Sequence, residues 1–263
     1  MATSFEPAPL PEPTPLRPPG LEMARGLLYF SLVFMCFMFA QMATLIWRVI
    51  ALTPEFATQG FSMSMLDTTK FQERWMELSS NGNVIALVSL LSGVICLALL
   101  LYLVYRWKGE RMRFFLALNM PKLRPTAIWT GGFILLFAVL EGIAYFLPEM
   151  DSAFMEKIMA SATNYPLLFF GLGLAPAIFE EFLLRGLLYG SLRHMLDKHA
   201  SIAITAGVFT LVHQQYDWYI LLLYVLPLGV FLGYARAETG SIWTSVWLHA
   251  LNNCASMLLP HGS

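Results

Sequence analysis

Charge is what this sequence has least of. Asp, Glu, Lys and Arg make up 13% of its 263 residues, whereas soluble domains carry about a quarter, so a solvated surface around one soluble core is excluded. No basic stripe interleaved with aromatics is present and the formal net charge is -1, which argues against nucleic acid or another polyanion as partner. Cysteine is nearly absent. Cys36, Cys96 and Cys254 each sit in an apolar run, with no CxxC pair and no secreted-type disulfide framework. There is no HExxH, which removes the usual zincin arrangement. No basic region precedes the first apolar stretch in the manner of a cleaved signal peptide.

What is there is apolar. Hydrophobic residues are 57% of the chain and the mean hydropathy is +0.63, the composition of a polytopic membrane protein. Residues 1–20 hold seven prolines, as in Pro7-Ala8-Pro9-Leu10-Pro11-Glu12-Pro13. That pattern favours polyproline II and cannot build a core, so 1–24 reads as a disordered tail. Seven apolar segments follow, near Gly26–Trp47, Asn83–Tyr105, Thr126–Leu147, Pro166–Gly190, Ala200–His213, Tyr219–Ala235 and Ser241–Leu259. The expected fold is an all-α, polytopic membrane helix bundle of seven to eight transmembrane helices, with the fifth and sixth segments short enough to be tilted or partly re-entrant. Residues 25–165 form the amino-terminal helices and 166–259 a carboxyl-terminal core.

Orientation follows from Lys and Arg in short loops. Arg106, Lys108, Arg111, Arg113, Lys122 and Arg124 place the loop after the second segment in the cytoplasm, and Arg193 and Lys198 agree. The amino terminus is then cytoplasmic, and 53–82 lies outside, where Leu66–Leu78 fits either an interfacial helix or an ordinary amphipathic turn. Gly186 with Gly190, and Gly229 with Gly233, repeat the GxxxG spacing that lets helix backbones approach closely.

Three charged side chains interrupt the fourth segment, in Glu180-Glu181-Phe182-Leu183-Leu184-Arg185. Each costs roughly 2.5–3.5 kcal/mol at a bilayer centre, so such residues mark function by default. Glu181 and Arg185 are four apart and pair on one face, which turns Glu180 about 100° away and leaves it in need of another partner. Two further spans carry polar groups: His213, four after Phe209, and His249, four before Asn253. Counted from the cytoplasmic ends, Glu180, His249 and His213 lie within about 6 Å in depth at 1.5 Å per residue. Three helices can therefore bring them to one inner site.

That set suits hydrolysis. Glu180 acts as general base on a water that His213 helps to hold, and His249 with Asn253 stabilises the oxyanion of the attacked carbonyl. Asn252 faces elsewhere, and Cys254, five residues from His249, does not align with it as a nucleophile. Glu141, a lone carboxylate in the third segment, receives no role. A transporter would show an inverted repeat, and the polar residues are instead concentrated in the carboxyl-terminal part; a catalytically silent scaffold of the same fold is the other rival.

These residues resemble the CAAX-protease and bacteriocin-processing intramembrane peptidase family. Its motifs EExxxR, FxxxH and HxxxN are met, in order, by Glu180 to Arg185, Phe209 to His213 and His249 to Asn253. The resemblance covers about Pro166 to Leu259. It implies peptide-bond hydrolysis, with Glu180 and His213 activating water, Glu181 and Arg185 in support or substrate binding, and His249 and Asn253 near the oxyanion. It implies as partners a peptide or membrane-protein substrate and the lipid bilayer, and leaves the oligomeric state open; the compact form and short loops of this chain point to a prokaryotic cytoplasmic membrane as location. Glu180, His213 and His249 could equally ligate zinc with one open position, and a metal-free glutamate mechanism is preferred. The site is expected to open towards the cytoplasm.

Overall fold

The computed structural model describes residues 18–146 and 153–258, so the proline-rich stretch up to residue 17, Leu147 and Leu259 lie outside the described residues. All regular structure among them is helical. Helix α1 is Pro19–Ala51, followed by the short α2, Pro54–Gln59, and α3, Thr69–Leu78. Then come α4, Gly82–Lys108, α5, Leu123–Phe146, and α6, Ala153–Ser161. The carboxyl-terminal helices are α7, Tyr165–Leu192, α8, Lys198–Leu211, α9, Trp218–Thr239, and α10, Ile242–Leu258.

The protein is an integral, multi-pass membrane protein. Five helices (α1, α4, α5, α7 and α9) are long and apolar enough to cross a membrane. Helices α8 and α10, of 14 and 17 residues, are shorter than the roughly 20 residues that span a bilayer unaided. The sequence segment ending at His213 stops early because α8 is broken there by a polar turn.

Local chemistry sets the boundaries. Asn81 caps α4 by accepting from the Val84 amide at 3.2 Å, and Asp197 caps α8 by accepting from Ala200 at 2.9 Å; such caps are worth about 0.5–2 kcal/mol each. Helix α9 ends at Gly240, whose φ of +65° is left-handed and costs a glycine little. Inside α7 two wider turns, Phe169–Leu174 and Phe182–Leu188, follow the i→i+5 pattern, a distortion found mostly at functional sites.

Two apolar clusters hold the bundle. Leu184, Leu188, Phe209, Leu228, Leu232 and Leu248 join α7, α8, α9 and α10. Val33, Cys96, Leu100, Phe179, Phe182 and Leu187 join α1 and α4 to α7. A third, with Val49, Phe56, Phe71 and Leu78, seats α2 and α3 on the end of α1, so the segment around Phe71 packs on the bundle. The paired glycines are packing positions: a Cβ on Gly233 would lie 2.8 Å from Ile202 Cγ2, and one on Gly190 3.0 Å from Phe115. A closer backbone approach lies elsewhere, at Gly171, where a Cβ would come within 2.3 Å of the Ala86 carbonyl oxygen.

The bundle has two unlike ends. At one, Lys108 reaches Glu22 and His194, and Asn119 donates to Gly240, so the basic stretch 106–124 gathers with the starts of α1, α8 and α10. At the other, Asn83 donates to Thr163 at 2.7 Å and Gly82 to Ser161 at 2.9 Å, which ties the start of α4 to α6 and α7.

Candidate active site

The six residues singled out by spacing come from three helices, and the structure draws them into one cluster. Glu181 and Arg185, both fully buried, form an ion pair at 2.8 Å along α7. Arg185 also donates to the Gly229 carbonyl at 2.9 Å, which Gly229 permits by bringing α9 close to Ala206 and Phe209. The same oxygen of Glu181 lies 3.0 Å from His249 Nδ1. A carboxylate oxygen already accepting from arginine can only accept from the ring, so Nδ1 carries the hydrogen and Nε2 of neutral His249 is a bare acceptor.

His213 is fixed in the same way. It stands just past the carboxyl end of α8, with Nδ1 2.7 Å from the Phe209 carbonyl oxygen. A carbonyl cannot donate, so Nδ1 again carries the hydrogen and Nε2 is left bare. Both Nε2 atoms face Glu180 Oε2, at 3.9 Å from His213 and 4.0 Å from His249. That oxygen is buried and has no hydrogen-bond partner in the protein. Glu180, which the helical geometry of α7 turns away from Arg185, thus meets two imidazoles instead.

Phe209 is the residue that spacing alone undervalued. Its ring, 2% exposed, lies 4.7 Å beneath the Arg185 guanidinium, 4.5 Å from the His213 ring and 5.5 Å edge-on to His249. One aromatic therefore touches Arg185 and both imidazoles and positions all three. Its i, i+4 relation to His213 was the available signal.

Two expectations need correction. His249 and Asn253 do not converge as a ready pair of donors. Pro176 lacks an amide hydrogen and leaves the Leu172 carbonyl without its helical donor; Asn253 Nδ2 donates there at 3.3 Å and to Gly173 O at 3.4 Å. Asn252, expected to face away, is 8% exposed, accepts from the Tyr224 hydroxyl at 3.1 Å and lines the same cavity. Helix periodicity gave the right faces for four-apart pairs, but the width of the cavity brings two adjacent positions to its wall.

That cavity, of about 820 Å³, has Glu180, His213 and His249 in its wall, with Glu141, Gln215, Tyr216 and Ser256. It carries no Lys or Arg among the described residues. The wall runs from Glu180 past Met38, Met42, Ile85 and Met257, towards the end opposite the basic stretch 106–124. Cys254 does not line the cavity.

A zinc ion with three protein ligands, each about 2.0–2.1 Å away, would set tetrahedral donors about 3.4 Å apart. The Glu180 to histidine separations are longer, and among the described residues no group of three His, Cys, Asp or Glu is placed to hold a metal ion. As they stand, these side chains do not fit zinc.

A multi-pass membrane protein with a buried carboxylate facing two imidazoles inside an apolar cavity has the make-up of an intramembrane hydrolase. Residues 162–255 match the family model of Type II CAAX prenyl endopeptidase Rce1-like proteins. Over these residues the chain is similar to the CAAX-protease family of membrane endopeptidases. The matched stretch runs from just before α7 to near the end of α10 and so contains the whole cluster. No curated protein and no solved structure matches the chain.

Proposed function

We propose that the protein is an intramembrane endopeptidase in which Glu180 activates a water for attack on a peptide carbonyl. The observation that carries this reading is the partnerless Glu180 Oε2 facing two bare Nε2 atoms at 3.9 and 4.0 Å. Three acceptors around one point call for a group with hydrogens to give. A water that donates its two hydrogens to Glu180 and His213, at about 2.8 Å from each, bridges that gap and keeps a lone pair for the carbonyl. Glu180 takes the proton as general base, His213 holds the water, and the proton then passes to the leaving amine.

The oxyanion needs donors. His249 supplies one when a proton resides on Nε2, its Nδ1 hydrogen being held by Glu181. Asn253 contributes by bracing the carbonyls of Leu172 and Gly173 below the site, and its amide is available to the oxyanion only if that brace opens. Glu181 orients His249 and Arg185 orients Glu181. No step needs a metal. Among the described residues the cavity wall offers no Lys or Arg to a free carboxylate, which supports cleavage within a segment over trimming of a bound terminus.

The test is cleavage of a quenched membrane-peptide library by the purified protein. Glu180→Gln and His213→Ala should each lower the rate about 10²–10⁴-fold, and activity should persist in chelator. Cleavage that survives both substitutions refutes the assignment, and loss in chelator restored by zinc refutes the metal-free step.

A further inference from the structure

We propose that Arg236 is the centre of a phosphate-binding site at the end of the bundle where the basic stretch 106–124 gathers. It does not line the cavity around Glu180, and the proposal is independent of the endopeptidase reading.

Two arginines are buried among the described residues, and they are provided for very differently. Arg185 has Glu181 at 2.8 Å and the Gly229 carbonyl at 2.9 Å. Arg236, only 8% exposed, has neither kind of partner: among the described residues its side chain makes no hydrogen bond and no ion pair, and its Nε is buried and unsatisfied. Its guanidinium lies over the Tyr189 ring, with Cζ 5.4 Å from the centroid. A ring face takes up none of the five N–H donors. The acidic residues around it are spent. Glu238, two residues on and so turned about 200° around α9, pairs with Lys198 at 2.6 Å. Glu181, within electrostatic reach of Arg236, is held by Arg185 and His249. A buried charge left without a partner is costly, so this guanidinium calls for an anion from outside the fold.

Position and geometry say which anion. Arg236 stands in the last turn of α9. Its carbonyl accepts from the Gly240 amide at 3.2 Å, and the Gly240 carbonyl accepts from Asn119. That places it at the edge of the bundle beside the basic stretch, at the level of lipid headgroups rather than in the hydrocarbon. The planar guanidinium matches two oxygens of a phosphate group at once. At such a depth the phosphate is that of an anionic phospholipid headgroup, or free phosphate arriving from the water.

The test is thermal melting of the full chain, purified in a neutral detergent without phosphate, with dihexanoyl phosphatidylglycerol or inorganic phosphate added. A probe that binds should raise Tm by about 5–10 °C at about 100 times its dissociation constant. The rise should appear in wild type and in Arg111→Gln, which removes an exposed cation of the basic stretch. It should be lost in Arg236→Gln and Arg236→Met and partly kept in Arg236→Lys. Without added anion, Arg236→Gln and Arg236→Met should melt within about 2 °C of wild type or above it, because they remove a cation that has no partner. A rise with phosphatidylglycerol alone assigns the site to a lipid headgroup, and a rise with inorganic phosphate assigns it to the free ion. No rise with either probe, or an equal rise in the Arg236 variants, overturns the proposal. So does failure of those variants to fold without anion, which would show that the protein alone employs Arg236.

Discussion

Replacing Glu181 by glutamine keeps the shape of the side chain and removes only its charge. The Arg185 guanidinium, with 0% of its side chain exposed, would then be a buried cation whose remaining close partners are the Gly229 carbonyl and the face of Phe209. Removing one member of a buried pair costs about 3–5 kcal/mol, while replacing both by apolar groups of similar volume is often neutral. For a chain of this size 1 kcal/mol moves Tm by about 2–4 °C, so Glu181→Gln should lower Tm by roughly 6–20 °C. Glu181→Gln with Arg185→Met should recover most of that. Thermal unfolding of the purified protein in detergent reads both, and activity should stay low in the double variant because a neutral amide oxygen holds the His249 Nδ1 hydrogen more weakly than the carboxylate does. A single variant within about 2 °C of wild type, or a double variant no better than the single one, would falsify the account of this pair as a charge-compensated positioning device.

Gly171→Ala should separate α7 from α4, since the added carbon meets the Ala86 backbone; overpacking of this kind costs about 1–3 kcal/mol, and an unchanged Tm would count against the close contact. Phe209→Ala removes a 2% exposed ring and should cost about 3–5 kcal/mol. Phe209→Tyr or Phe209→Leu, if folded, should show a larger loss in kcat than in KM, because the ring positions His213 and His249. His194, outside the spans, has its pKa lowered by burial and then by Lys108, against a smaller opposing pull from Glu22. Its neutral form is favoured in the folded state, so stability is full above its ordinary pKa of about 6.5 and falls below it, by at most about 1.4 kcal/mol per pH unit. His194→Gln should flatten that acid slope in a pH series of melting temperatures.

Much of the site was legible because membrane burial makes polar residues conspicuous. Glu180, His213 and His249 could be placed at one level by counting 1.5 Å per residue, and the Glu181 to Arg185 pair followed from four-residue spacing. What spacing could not reach was hydrogen placement and lateral detail. That His249 presents an acceptor depends on Glu181, 68 residues away in sequence. That Asn253 is turned onto a carbonyl depends on the missing amide hydrogen of Pro176, on another helix. Phe209 lay inside a motif, yet its contact with Arg185 exists only because Gly229 lets α9 approach α8.

By itself the sequence determined the all-helical membrane class, the residues that meet in the site and the end that gathers positive charge. These are consequences of local composition and helical period, which act within a few residues. Only the tertiary structure decided which ring nitrogen of each histidine faces an acceptor, which amide is committed elsewhere and which side chains share the cavity wall. Those depend on contacts between segments far apart in the chain and on where packed helices part, and no local pattern encodes either.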